Sequence, residues 1–455
     1  MKKWLNRFFL TLLYILPAVV FFTNFPLIRL GEGSSMYYEI SLPMIWLAIF
    51  DLLNLTRIGE IWAFCKKHPR LLLPAVAVLL YIVLSCFWSA NFLRGALTAG
   101  LVLAIAFAIL SFFSHSLYTT SRKRILSVLL ASSAAVSIFC LLQCFLDVFD
   151  IQETLLCPGC HYQTIGFPHS NGFAIEPQFM GNLLIAPSLI TLDIIYKKLR
   201  AKKGKRKLPA LLCLAVLQIT ALFVTFSRGA IFAFVLGVII MTIYRALKRF
   251  NLRAFCYVSI SVFAFLFGLL LQGLWAEISP TNENFAQGIS RSLNHLSLGV
   301  IPLIDSSSKP EPNTVVATET AEEESAFDGY IEESTTIRLS LNEAALKTWS
   351  QSPRTVFFGV GLGGAGRAMS QHLGTNEKEI VQNEYISLLL ELGIVGCSLI
   401  LFAAFVAFRF FGRRLRIVFF AIIFAYLFSL LFFSGITNVW HIYLLTPVLL
   451  PILAI

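Results

Sequence analysis

Charge is what this sequence has least of. Asp, Glu, Lys and Arg make up 13% of its 455 residues against 57% hydrophobic residues, with a mean hydropathy of +0.77. Soluble domains carry about 25% charge, so a water-facing surface over the whole chain is excluded and apolar side chains must face lipid. Alternating polarity is missing as well. A membrane barrel needs strands of about 10 residues that alternate apolar and polar, whereas Ile231 to Ile243 is apolar on every face. Helices remain, because only they and closed barrels satisfy their backbone inside a bilayer. Phe8 to Ile28 follows Lys2, Lys3 and Arg7 as a secretory leader would, but it is long and has no small-residue cleavage site. It is read as a retained first helix. No repeat of solenoid period occurs.

What the chain does have is a succession of apolar runs of about 18 to 25 residues, each long enough for a helix to cross a hydrocarbon core of roughly 30 Å. They start near Phe8, Ile40, Leu71, Gly95, Ile125, Gly172, Leu208, Gly229, Ala254, Gln382, Ile417 and Ile436. The expected fold class is therefore all-α, a polytopic membrane helical bundle of about twelve helices, forming one integral membrane domain over residues 1–455. The charges alternate along it. The N-terminus and the even-numbered connections hold 26 of the 36 Lys and Arg, and the other ten fall in odd-numbered connections. By the positive-inside rule the first group is cytoplasmic, with both termini on that side. A net charge of +11 placed in this way marks orientation in a membrane and not nucleic-acid binding.

Two external connections are long. The larger, residues 275–381, separates the ninth and tenth segments. Its part from 305 to 336 holds Ser306, Ser307, Ser308, Pro310, Pro312 and the run Glu322, Glu323, Glu324, a composition that cannot bury a core and is expected to be disordered. Residues 337–350 space Ile337, Leu341, Ala345 and Trp349 along one face, which predicts a short amphipathic helix at the membrane surface.

Of the nine cysteines, Cys65, Cys86, Cys140, Cys144, Cys213, Cys256 and Cys397 lie in apolar segments, where a thiol acts as a small apolar group. Cys157 and Cys160 stand apart in the external connection before the sixth segment. With no second thiol pair to complete a zinc site, a short-loop disulfide is favoured over a metal pair. The run Phe358 to Gly366 is rich in glycine, but no βαβ unit surrounds it, and it is read as a flexible turn that folds the loop back onto the bundle.

Three places put polar chemistry at the external boundary. Arg228 lies in the tight hairpin Thr225-Phe226-Ser227-Arg228-Gly229, where it either snorkels to headgroups or aims a planar cationic fork at a phosphate, helped by the N-terminus of the next helix. Glu176 precedes Pro177 and serves as a base or, as the safer reading, a helix cap; His169 lies just upstream. Val381-Gln382-Asn383-Glu384-Tyr385 opens the tenth segment, with Glu391 deeper in the helix, where structural pairing is favoured over a functional role.

In combination these features resemble the O-antigen ligase and polymerase superfamily. The pieces are the Ser227-Arg228-Gly229 hairpin, Arg338 at the start of a loop helix, the turn Gly359-Val360-Gly361-Leu362-Gly363, and Asn383-Glu384-Tyr385 followed by Glu391-Leu392-Gly393-Ile394-Val395-Gly396. The resemblance implies an inverting, metal-independent glycosyltransferase of the bacterial inner membrane, without cofactor. It would polymerise or ligate glycans linked to undecaprenyl diphosphate on the outer face, passing them to a glycan or lipid acceptor. A chain-length regulator or a flippase would be its protein partner. Arg228 and Arg338 would hold the diphosphate, and Ser227, His169, Asn383 and Tyr385 would line the substrate site. Where ligases carry a His, this chain has Gln382, which cannot take a proton at neutral pH; the base then falls to Glu176, His169 or His372. The competing readings are a lipid-linked glycan transporter or flippase, against which the hundred-residue external connection argues, and a non-catalytic scaffold.

Overall fold

The structure is a computed structural model that describes residues 2–23, 28–30, 38–114, 117–149, 169–174, 176–201, 205–249, 252–279, 284–297, 300–301, 326–373, 381–411, 416–432 and 449. It is helical apart from two three-residue strands. Helix α1 (Lys2–Val19) leads through the antiparallel pair β1 (Ile28–Leu30) and β2 (Tyr38–Ile40) to α2 (Leu42–Leu55) and α3 (Ile58–Lys67). Then come α4 (Pro69–Ser85), α5 (Phe92–Ser114), α6 (Leu117–Val148), α7 (Pro177–Arg200), α8 (Leu208–Val224), α9 (Arg228–Arg249) and α10 (Cys256–Ile278). The connection that follows carries α11 (Phe285–Leu296), α12 (Ala326–Trp349), α13 (Pro353–Phe358) and α14 (Ala365–Leu373), and the chain returns through α15 (Glu384–Phe411) and α16 (Ile417–Ser429).

Among the described residues a helix begins within about eight residues of each of the first eleven starts read from the sequence, although fewer of these helices are long enough to span. Seven described helices are long and apolar enough to cross a membrane; α2 and α3, bent by 81° at the break between them, would make one further span only if taken together, and α1, α8 and α16 are apolar but shorter. The segment expected from Ile436 lies outside the described residues. The bend after α2 lays α3 aside with Lys66 over the exposed Trp62 at 5.4 Å, an amphipathic arrangement suited to the membrane surface.

Helix α7 is the axis of the bundle. Of its apolar window 94% is buried within the protein, against 22–44% for the other six long helices. A helix enclosed by protein on all sides can carry polar groups, and α7 buries Asn182, Ser188, Thr191 and Asp193. Asp193 pairs with Lys197 and with Arg245 of α9 (3.1 Å), so its charge is compensated. At the opposite end Gly181 lets α7 approach the α8–α9 hairpin, since a Cβ there would lie 2.8 Å from that of Ala230.

The contacts sort the connections onto two ends. The α4–α5 turn meets the glycine-rich segment, with the Ser89 hydroxyl donating to Leu362 O (2.8 Å). Ser170 N donates to Val224 O at the α8–α9 hairpin (3.0 Å), and Glu384 N donates to Leu430 O (3.0 Å). The other end gathers the basic connections, where Arg57 sits 4.7 Å over the Phe9 ring and His68 stacks edge-on with Phe410 at 5.3 Å.

The connection between α10 and α15 is partly helical. Helix α12 begins at Ala326, inside the 305–336 stretch expected to be disordered; residues 302–325 lie outside the described set. The buried face of α12 is Leu341, Ala344, Ala345 and Thr348, while Ile337 is 47% exposed. That face packs on Ala365, Met369, Val381 and Leu390 of the protein, so the helix is held by α14 and α15.

Candidate active site at the α8–α9 hairpin

The α8–α9 hairpin turns within three residues. Thr225 caps the end of α8 through Oγ1, which donates to Leu222 O (2.7 Å), and Phe226 takes a left-handed φ of 49°. Phe226 is the one non-glycine residue with positive φ among the described residues, a conformation that is unfavourable for a bulky side chain. Ser227 then caps α9, its hydroxyl accepting from Ala230 N (3.4 Å). Arg228, half-buried, is the first helical residue, at the positive end of the α9 dipole.

Beside the hairpin, residues 169–174 are buried. The amide of Gln143, inside α6, anchors them: its Oε1 accepts from Ser170 Oγ (2.6 Å) and Gly172 N (2.7 Å), and its Nε2 donates to Gly172 O (3.0 Å). A backbone loop at this depth needs such partners, and the result places His169, 3% exposed, next to the turn. Nothing in the apolar surroundings of Gln143 marked this role in the sequence.

The second residue that the sequence reading missed is His295, on α11. Asn284 and Gln287 form a capping box that starts this helix, and that spacing was the available signal. His295 is 5% exposed; its Nε2 lies 3.4 Å from Phe226 O and its ring meets the Phe226 ring edge-on at 5.8 Å. Burial and then the positive charge of Arg228 push its pKa from 6.5 down to about 4, with His169 and Arg338 adding to the shift and the Phe226 carbonyl opposing it. One imidazole therefore feels Arg228 and Arg338, about 110 positions apart in sequence, together with His169.

Arg338 is half-buried on α12, whose packed face reaches Val381 and so adjoins the start of α15. There, Asn383 Oδ1 caps the helix by accepting from Tyr385 N (3.0 Å) and Ile386 N (3.2 Å), and the Tyr385 hydroxyl donates to Leu427 O of α16 (2.6 Å). Both of these residues, expected to line the substrate site, are engaged in fixing the helix. Gln382 keeps a buried Oε1 with no hydrogen-bond partner among the described residues. Glu384, part of the polar opening of this helix, is 1% exposed. Leu430, which accepts from Glu384 N, lies two residues before Phe432, and Phe432 packs on Gly229. The start of α15 is thereby joined to the Arg228 hairpin.

Glu176 is placed differently from its expected capping role. It occupies the N-cap position of α7, but its carboxylate makes no cap bond; it is exposed and accepts from Gln178 Nε2. Its backbone carbonyl supplies the first helical acceptor, for Phe179 N (3.1 Å), because Pro177 at the first turn leaves fewer amides to cap. His372 lies in α14 with its side chain outside the described set, and Cys157 and Cys160 fall outside the described residues. Among the described residues no three His, Cys, Asp or Glu side chains come together as a metal site.

Glu391 sits where α15 breaks. Gly393 has φ 64° and ψ −174°, and the carbonyls freed at Leu390 and Glu391 accept from Val360 N (2.9 Å) and Gly361 N (3.0 Å). The Glu391 carboxylate accepts from the amides of Gly363 and Ala365, with the Arg94 charge nearby. The glycine-rich turn thus folds back onto the bundle, as its sequence implied, and fills a gap in a broken helix.

No curated protein matches the chain. Residues 213–401 match the Wzy_C family, described as O-antigen ligase, a span that runs from α8 through the hairpin and Arg338 to Gln382 and the broken α15. That stretch, less than half of the chain, is thus similar to an O-antigen ligase domain.

Proposed function

We propose that this protein is an inverting glycosyltransferase. It takes a glycan from undecaprenyl diphosphate and joins it to a glycan or lipid acceptor at the outer face of the bacterial inner membrane. The observation that carries the reading is the joint influence of Arg228 and Arg338 on one buried imidazole at the α8–α9 turn. A diphosphate leaving group gathers negative charge as the C1–O bond breaks, and two fixed guanidinium groups stabilise that charge without a metal. The acceptor hydroxyl attacks C1 from the opposite side, donating a hydrogen bond to Gln382 Oε1. Its proton leaves late, to water on the acceptor side. The outer side follows from the positive-inside rule, since the site lies at the end away from the basic connections.

A transporter would leave the unwound backbone of a broken helix for its cargo. Here the Leu390 and Glu391 carbonyls are taken by the chain's own Val360 and Gly361, which favours transferase over flippase. Deleting the gene and resolving surface glycans by gel tests the proposal. A ladder collapsed to single repeats identifies a polymerase and unattached polymer identifies a ligase; an unchanged pattern overturns both.

A further inference from the structure

The strained turn beneath Arg228 needs support that the hairpin itself does not supply. Phe226 is 3% exposed and left-handed, a conformation that is unfavourable for a bulky side chain and persists where the surroundings enforce it. Its N–H bonds back to Phe223 O (2.9 Å) within α8, and its ring is held by Phe223 at 5.4 Å. Its carbonyl, turned out of the helix by the left-handed φ, points to α11, where His295 Nε2 lies 3.4 Å away. A buried carbonyl is costly to leave without a donor, and its direction fixes the peptide plane that leads through Ser227 to Arg228.

We infer that His295 is a positioning residue: its Nε2–H donates to the Phe226 carbonyl, holds the left-handed turn, and thereby sets where the Arg228 guanidinium points. The inference rests on the diphosphate role proposed for Arg228. Donation from Nε2 requires either the neutral tautomer with its proton on Nε2 or the cation. Burial and the neighbouring arginines favour the neutral ring, so the brace adds no third positive charge to the site. Edge-on packing against Phe226 keeps the imidazole from rotating away.

Three substitutions separate this role from simple space filling. His295→Gln keeps a side-chain N–H near the position of Nε2, His295→Phe keeps the volume without a donor, and His295→Ala removes both. With a lipid-diphosphate-linked glycan as donor, and protein amount equalised by gel filtration in detergent, Ala and Phe should lower kcat by about ten- to a hundredfold. Gln should stay within a few-fold of wild type. Glycine tolerates positive φ without a brace. In a Phe226→Gly background, therefore, adding His295→Ala should reduce kcat by a markedly smaller factor than it does alone. Retained activity in the Phe variant, failure of Gln to rescue, or fully independent effects in the double variant would overturn the inference.

Binding of undecaprenyl diphosphate to the purified protein keeps the two readings apart. If wild type binds it no better than Arg228→Ala does, the proposed diphosphate site itself fails. If Arg228→Ala loses binding while His295→Ala matches wild type in binding and turnover, the positioning role alone fails.

Discussion

Gly359 and Gly393 cross with their backbones in contact: a Cβ on Gly359 would lie 2.3 Å from Glu391 O, and one on Gly393 2.4 Å from Phe357 O. Both have positive φ, 72° and 64°. The crossing inserts the loop after α13 into the break in α15, and backbone atoms on each side have nowhere to move. Gly393→Ala and Gly359→Ala should each destabilise the protein by several kcal/mol, on the order expected when backbone strain and overpacking combine. Gly100, where an added Cβ would meet nothing within 4 Å, is the control. Gly100→Ala should be neutral or stabilising by about 0.5–1 kcal/mol. Unfolding midpoints in detergent decide it, and equal midpoints for Gly100→Ala and Gly393→Ala would contradict the crossing.

The arginines should dominate turnover. Arg228→Ala or Arg338→Ala should remove about 3 to 4 kcal/mol of transition-state stabilisation each, two to three orders of magnitude in rate. Arg228→Lys keeps the charge but loses the bidentate fork and should also fall substantially. Single-turnover rates with a lipid-linked donor give the comparison, and full activity in Arg228→Ala would sink the mechanism.

Gln382 is expected to hold the acceptor hydroxyl. Gln382→Ala should abolish turnover while leaving donor binding intact, and Gln382→His should be tolerated or activating. Unchanged turnover in the alanine variant would show that the acceptor is aligned elsewhere, with His169 the next residue to test.

Acid should weaken the fold through His295. Its folded pKa of about 4 lies below the ordinary 6.5, so its neutral form stabilises the protein fully above about pH 6.5. As pH falls toward 4 the unfolded chain takes up a proton that the folded protein refuses, and up to roughly 3 kcal/mol is lost from this residue. Arg228, His169 and Arg338 are the groups whose charge bears on it. The decline in unfolding midpoint between pH 7 and 4.5 should be shallower in His295→Gln than in wild type.

Orientation is checked by labelling. A cysteine replacing Ser307 should react with an impermeant thiol reagent added outside, and one replacing Lys203 should not. The reverse pattern would put the hairpin and Arg338 on the cytoplasmic side.

Some of this was legible in the residues alone, because composition and local spacing report it. Scarce charge pointed to a membrane protein, 3.6-residue and lipid-length patterns marked where helices start, and the distribution of Lys and Arg proposed a sidedness that labelling tests. Arg228 stood out because a permanent cation in a tight hairpin at a boundary is conspicuous wherever it folds, whereas Arg338 was marked only by the family resemblance. Tertiary structure decided what these cations meet. Gln143 grips Gly172 across 29 positions, and His295 reaches Phe226 across 69. Periodicity tells which face of a helix is buried but not which partner covers it, so neither pairing left a local signal. The break at Gly393 was hidden for a related reason: a glycine inside an apolar helix reads the same whether the helix continues or unwinds. Only the arriving Val360 and Gly361 amides, which bond the freed carbonyls, make unwinding stable inside the membrane.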